Sequence, residues 1–264
     1  MNLIILFIFV SILAVIMTMT GRGGGNFYVV ALVMAGYAMH QAATMGQFCL
    51  MLTAFMGMLI FHKNKMVDWK LALVIDPPTD IMALVGGYFS MYVSGIYLKF
   101  IFTILLVLAG FFMLFKVNNK PILKQKKFGY WHRTYGDYTY VVNLWLAIPI
   151  TAVVGLAAGA LGISGGSFKV PLMVLLCGVP MHIAVGTSSA MVAATALMGF
   201  IGHTASGHFV PQLAIPLAIA AVLGGFIGGK IAIKTKPEYL KKIFALTTIA
   251  AAIVMGVNAF LTKQ

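Results

Sequence analysis

Two glycine-rich runs hold the residues best suited to chemistry. Gly21-Arg22-Gly23-Gly24-Gly25-Asn26 and Gly162-Ile163-Ser164-Gly165-Gly166-Ser167 each follow a long apolar stretch and precede a short one. Glycine reaches positive φ and allows close backbone approach, and Asn26 and Ser167 are suitable N-caps for the short helices predicted next. A helix of about 14 residues is about 21 Å long, short of a hydrocarbon core of about 30 Å. Its N-terminus would lie inside the bilayer, where unpaired N–H groups are costly unless they line a cavity, and an anion would satisfy them. The loop residues Gly23, Gly24, Gly25, Asn26, Ser164, Gly165, Gly166 and Ser167 are therefore candidate anion ligands. His40 and His182 follow the two short segments, while Gln41, Gln47, Thr187 and Ser188 belong to the helices after them and are placed to line the same pocket. Tight helix packing would use the same glycines, and interhelical hydrogen bonds the same polar side chains.

Asp76 and Asp80 lie one helical turn apart in the run IDPPTD, on a helix interrupted by Pro77 and Pro78. Carboxylates at membrane depth beside a prolyl break suggest a proton or cation coupling site, with stabilisation of the kink as the alternative. Lys169, inside the second short segment, would either contact an anion or lie at the outer surface.

The elements that must position these residues are apolar helices. The chain of 264 residues is 61% hydrophobic and 9% charged, far from the soluble averages of about 45–50% and about 25%. Long apolar segments fall near residues 2–20, 42–62, 70–92, 98–116, 142–163, 184–205, 211–232 and 242–261, with shorter ones near 25–38 and 166–180. An all-α polytopic membrane protein is predicted, with the N-terminal run read as a retained helix. The net charge of +13 comes without a nucleic-acid motif and fits basic loops on one membrane side, so nucleic acid is not an expected partner. Cys49 and Cys177 lie in apolar stretches without CxxC spacing, which supports neither a disulfide framework nor a thiolate metal site. No cofactor is called for, the lipid bilayer is the expected surrounding, and a homo-oligomer is compatible with the sequence.

A repeat divides the chain. Gly86-Gly87 recurs as Gly228-Gly229, Met39-His40 as Met181-His182, Leu71-Ala72 as Leu213-Ala214 and Leu98-Lys99 as Leu240-Lys241, all at an offset of 142. Gly24, Gly25 and Phe27 recur at an offset of 141 as Gly165, Gly166 and Phe168. Asp76 and Asp80 correspond to Ala218 and Val222, so the carboxylates are not part of the duplicated scaffold. The predicted division is residues 1–116, a polar linker 117–141, and 142–264. If the short segments cross, each half has five segments, and every Lys and Arg except Lys99, Lys169 and Lys263 falls on one side. The positive-inside rule then predicts two inverted repeats with the central basic loop cytoplasmic, in a multi-pass protein of the cytoplasmic (inner) membrane. Inverted repeats with discontinuous helices are the architecture of many secondary transporters.

The run GLAAGALGISGGSFKVPLMVLLCGVPMHIAVG, from Gly155 to Gly186 and continuing through Thr187-Ser188, resembles the signature of the sulfite exporter TauE/SafE family of membrane permeases. GRGGGNFYVVALVMAGYAMHQAA is its first-half echo, and Val67-Asp68-Trp69-Lys70-Leu71 resembles a polar loop and following helix of that family. The resemblance implies export of small sulfur-containing anions such as sulfite or organosulfonates, with the site at Gly23 to Asn26, Ser164 to Ser167, Thr187 and Ser188. The chain departs from the pattern at AATMGQ, where a Gly-Thr-Ser element would stand, at Val30, opposite Pro171, and at IDPPTD.

Two rival readings use other residues. Gly162-Ile163-Ser164-Gly165 resembles the serine motif of rhomboid intramembrane proteases, with His203 or His208 as base, but Gly23 holds the Ser164 position in the first half. A divalent cation or metal permease would instead use His40, His182, Asp76 and Asp80, without tight ligand spacing.

Overall fold

The computed structural model describes residues 3–114, 128–163, 165–204, 207 and 209–261. In chain order the helices are α1 (Leu3–Met19), α2 (Gly25–Met34), α3 (Met39–Lys63), α4 (Trp69–Ile75), α5 (Pro77–Phe89) and α6 (Gly95–Leu114). A β-hairpin of β1 (Tyr130–Tyr135) and β2 (Tyr138–Asn143) follows. The second half contains α7 (Leu144–Leu161), α8 (Gly166–Pro171), α9 (Met181–Thr204), α10 (Pro211–Lys234) and α11 (Pro237–Leu261). Among the described residues, four helices, α3, α7, α9 and α10, are long and apolar enough to cross a membrane. The predicted segments thus recur as helices with shifted ends, including the two short ones.

Local sequence explains the boundaries. The Asp68 carboxylate accepts hydrogen bonds from the N–H groups of Lys70 and Leu71 and caps α4, and Asn143 caps α7 through Trp145 N–H. Pro77 and Pro78 cannot donate to the carbonyls four residues earlier, so the helix breaks at Asp76. The bonds Asp76 N–H to Ala72 O and Asp80 N–H to Asp76 O carry its course across the break. After α8 the chain widens into a π turn over Leu172–Leu176.

The two longest buried helices, α3 and α9, pack on each other. Around them α1 packs on α10, α7 on α5, α10 on α3, α5 on α9, and α6 on α11. Glycines permit these approaches. A Cβ at Gly86 would collide with the Leu156 carbonyl on α7, and one at Gly228 with the Val15 carbonyl on α1. Exposed Ile4, Leu73, Ile81, Val153 and Ile253 give the helices an apolar outer surface, as lipid contact requires.

The hairpin is the departure from an all-α reading. Of the predicted linker, residues 117–127 lie outside the described residues, while 130–143 pair as antiparallel strands from Tyr130 opposite Asn143 to Tyr135 opposite Tyr138. The turn at Gly136-Asp137 uses a glycine at φ 56°, as a two-residue hairpin turn demands. Arg133 clasps the wholly buried Asp68 through two hydrogen bonds of 2.9 Å. Tyr140 O–H donates to the same carboxylate, and Tyr135 O–H reaches the carbonyls of Lys65 and Val67 at 3.2 and 3.0 Å. Asp68 N–H donates to Thr187 Oγ1 at 3.0 Å, tying this clasp to α9.

Burial opposes the ionised Asp68, yet bonds from Arg133, Tyr140 and Leu71 N–H outweigh it and hold its carboxyl below the usual carboxylate range. A depressed carboxyl contributes stability that is complete above the unfolded value of about 3.9 and is lost as pH falls through the lower folded value. The clasp therefore holds at neutral pH and loosens only in strong acid. At neutral pH, Arg133→Ala is expected to raise amide hydrogen exchange in residues 130–143 on the order of tenfold, the loss of a hydrogen-bonded charge partner. Unchanged exchange would show that the strands hold without the ion pair.

Candidate functional site

Each glycine loop begins where a long helix ends in the left-handed region. Gly21 (φ 71°) and Gly162 (φ 69°) follow α1 and α7, and both press on a neighbouring backbone. A Cβ at Gly21 would strike Val185 of α9, and one at Gly162 would strike Ala43 of α3. The first contact runs from the first half to the second, and the other, 141 and 142 residues away at its two ends, runs back. The same exchange relates Gly57 beside Ser189 to Gly199 beside Gln47, and Gly86 on Leu156 to Gly228 on Val15. The loops thus lie against the central α3–α9 pair, with Gly23 between Leu50, Ala54 and Val192.

Arg22 joins the loops. It is 1% exposed, and its Nε and Nη2 donate to Ser167 Oγ at 3.2 and 2.9 Å. Its Nη1 donates to Thr247 Oγ1 on α11 at 3.4 Å. A guanidinium fork from the first half is thereby held at the start of α8 by two hydroxyls of the second. A buried guanidinium is costly to keep and presents the planar donor pair that matches two oxygens of an oxyanion. Ser167 Oγ accepts both N–H groups.

A second charged cluster lies two residues further along α8. Lys169, also 1% exposed, pairs with the Asp76 carboxylate and donates to Thr195 Oγ1 at 2.6 Å and to the Met191 carbonyl at 3.4 Å. Thr195 Oγ1 in turn lies 2.7 Å from Asp80 Oδ1, to which it donates. At the repeat-related position, Tyr28 stands in place of Lys169 and its hydroxyl pairs with Thr53 Oγ1 at 2.9 Å. Thr53 lies 142 residues before Thr195, and the two hydroxyl oxygens stand 2.8 and 2.9 Å from the carbonyls of Cys49 and Met191, which are offset by the same number.

Several expectations need correction. The N-caps of α2 and α8 are Gly24 and Gly165, without side-chain capping bonds, whereas Asn26 and Ser167 lie within the first turns. The φ of 95° at Gly24 explains a glycine there. Lys169 neither lies at the surface nor stands ready for an anion, because Asp76 neutralises it. Arg22 is interior, not a loop charge on one membrane side. Ser164 and His208 lie outside the described residues.

The remaining candidates divide. Ser188 is wholly buried, and its hydroxyl has no hydrogen-bond partner among the described residues, so it offers an unmet donor on the helix that Gly21 touches. Gln47 donates to Ala158 O at 3.0 Å, a tie between the halves. Thr187 accepts from Asp68 N–H and belongs to the hairpin clasp. His182 opens α9 with its ring edge-on to Tyr138 of the hairpin, centroids 5.2 Å apart. His40 and Gln41 begin α3, half-buried, and the His40 carbonyl accepts from Thr44 Oγ1. His203 engages Ser90 Oγ through Nδ1 and the Gly159 carbonyl through Nε2. Sequence reading missed Arg22, Thr195 and Thr247. The signal for Arg22 was its place within a glycine run and not in a polar loop.

A family model described as "Sulfite exporter TauE/SafE" matches residues 5–255. The chain is 30% identical over 202 residues to the "Probable membrane transporter protein YunE" of Bacillus subtilis, which covers 75% of this chain and 73% of the relative. A "Probable membrane transporter protein" of Xylella fastidiosa is 32% identical over 116 residues, 44% of each chain. Another similar protein, MamO of Magnetospirillum gryphiswaldense, is 32% identical over 109 residues, 38% of this chain and 17% of its own. No solved structure matches the chain.

Proposed function

The chain belongs to the sulfite exporter TauE/SafE family of membrane transporters, and from that premise we propose that it exports small sulfur-containing anions, sulfite or organosulfonates, by alternating access between two inverted five-segment repeats. The observation that carries this reading is Arg22 of one glycine loop donating through two nitrogens to Ser167 of the other. A pyramidal or tetrahedral oxyanion seated there would replace Ser167 Oγ as the acceptor of the guanidinium fork, with the Ser188 hydroxyl as a further donor. Burial makes each of these contacts stronger than it would be in water.

The exchanged contacts support the repeat division 1–116 and 142–264. Each pairs a residue of one half with a residue of the other and recurs with the halves swapped, as a twofold relation between repeats requires. An odd number of segments per half would make that relation inverted, and the basic residues outside the protein interior favour a cytoplasmic hairpin and central connection. A site formed by both repeats opens to one side or the other as they rock.

Asp76 and Asp80 are the coupling groups of this mechanism, joined to α8 through Lys169 and Thr195. Asp80→Asn is expected to abolish anion accumulation driven by a pH gradient while leaving anion counterflow within about threefold of wild type, because counterflow needs no net proton movement. Equal loss of both would assign Asp80 to the scaffold.

The reading is tested by uptake and counterflow of labelled sulfite in proteoliposomes, with taurine, sulfoacetate, sulfate and divalent cations as competitors. Saturable flux blocked by anionic sulfur compounds is expected. Competition by divalent cations alone would overturn it in favour of a cation permease.

A further inference from the structure

We propose that the Lys169 ammonium is a tethered substitute for a monovalent metal cation, filling an oxygen cage that would bind sodium if the side chain were cut back. An ammonium has three donors and no acceptor. Those of Lys169 meet three oxygens of different kinds: the Asp76 carboxylate, the Thr195 hydroxyl at 2.6 Å and the Met191 carbonyl at 3.4 Å. The Asp80 carboxylate stands directly behind Thr195. Carboxylate, hydroxyl and carbonyl oxygens gathered around a buried positive charge form the donor set of a hard cation. A fourth oxygen adjoins the Asp76 carboxylate. The Thr79 hydroxyl, wholly buried and one turn from Asp76, makes no hydrogen bond of good geometry among the described residues.

The repeat-related position separates this role from a packing role. There the fold holds Tyr28 for Lys169, Ala218 for Asp76 and Val222 for Asp80, and the Thr53–Cys49 pair repeats Thr195–Met191. One scaffold is thus built twice, once with no charge and once with three. Since neutral residues meet the packing requirement, the charges answer a different one. Isolated charges are expensive at membrane depth, and three substituted together form one electrostatic unit. The ammonium carries a single positive charge, so the matching free ion is monovalent, and exchanging one for the other leaves the net charge of the cage unchanged.

The inference concerns the same carboxylates as the coupling reading. With the cage already filled by a tethered cation, sodium has no place in the wild-type cycle. The test reads stability and not transport, so it fails or succeeds separately from the anion reading. Thermal unfolding of the purified full-length chain in detergent is compared in sodium chloride and in choline chloride of equal concentration. Wild type should unfold at the same temperature in both. Lys169→Ala should unfold roughly 3 °C or more higher in sodium than in choline, since an ion bound only by the folded state stabilises it. Lys169→Ala combined with Asp76→Asn, which has lost the cage charge, should again be indifferent. Sodium stabilisation of wild type, an unresponsive Lys169→Ala, or a double variant as responsive as the single one would overturn the proposal. So would a Lys169→Ala chain that cannot be obtained folded in sodium while the double variant can.

Discussion

Replacing Arg22 with glutamine is expected to weaken binding of the transported anion by about one to two orders of magnitude. Hydrogen bonds to charged groups contribute about 1.5–3 kcal/mol, and each 1.4 kcal/mol is a factor of ten in affinity. The lower bound applies if Ser167 and neighbouring donors retain part of the site. Arg22→Lys keeps the charge but loses the planar fork that now spans Ser167 with two nitrogens, so it should fall between glutamine and wild type. The check is the half-saturating anion concentration for counterflow in proteoliposomes at matched protein content. Wild-type affinity in Arg22→Gln would remove the guanidinium from the site and leave it a tie between loops.

Alanine at Gly21 or Gly162 should cost stability more than any other single methyl added to a loop. Both glycines sit at φ close to 70°, where a Cβ adds about 1–2 kcal/mol of backbone strain. The new methyl would also drive into the Val185 backbone in one case and the Ala43 backbone in the other, and overpacking adds about 1–3 kcal/mol. Together the loss is about 2–5 kcal/mol, enough to remove most folded protein from a detergent preparation. Gly36 is the internal control: its φ is 96°, but a Cβ there meets nothing within 4 Å, so Gly36→Ala carries the strain without the collision. Monodisperse yield by size-exclusion chromatography and the unfolding temperature distinguish them. Equal behaviour of Gly21→Ala and Gly36→Ala would mean that the contact with α9 relaxes freely.

Much of this architecture could be read from residue order because lipid imposes simple demands. Apolar runs of fixed length become helices, and the duplicated glycine pairs marked places where helices approach closely, at Gly86 and Gly228. The break at Asp76-Pro77-Pro78 followed from the missing N–H groups of proline. The hairpin was legible too: Thr134-Tyr135 and Tyr138-Thr139-Tyr140-Val141 alternate aromatic and β-branched residues around Gly136-Asp137, but a basic composition reads first as a linker. Capping misled in the opposite way. Asn26 and Ser167 have the right chemistry, yet both helices start two residues earlier, with Gly24 and Gly165 as N-caps, and at Gly24 the φ of 95° calls for glycine.

The charges were hardest to place. Arg22 and Lys169 look alike to a rule that counts basic residues on either side of a membrane, and both turned out to be interior. Their difference depends on partners distant in sequence: Ser167 and Thr247 for Arg22, and Asp76 and Thr195 for Lys169. Only packing brings such groups together. The clasp of Arg133 on Asp68 has the same origin, since a residue of the first strand and one before α4 meet only after the hairpin folds back.

The central claim is that the anion binds where the two glycine loops cross. Selenite has the shape and charge of sulfite and scatters X-rays anomalously, so soaking or co-crystallising the full-length protein with selenite would locate the site directly. The account predicts an anomalous peak within hydrogen-bond distance of Arg22 and Ser167 that disappears in Arg22→Gln. A peak at Lys169, or one that persists unchanged in the glutamine variant, would contradict it.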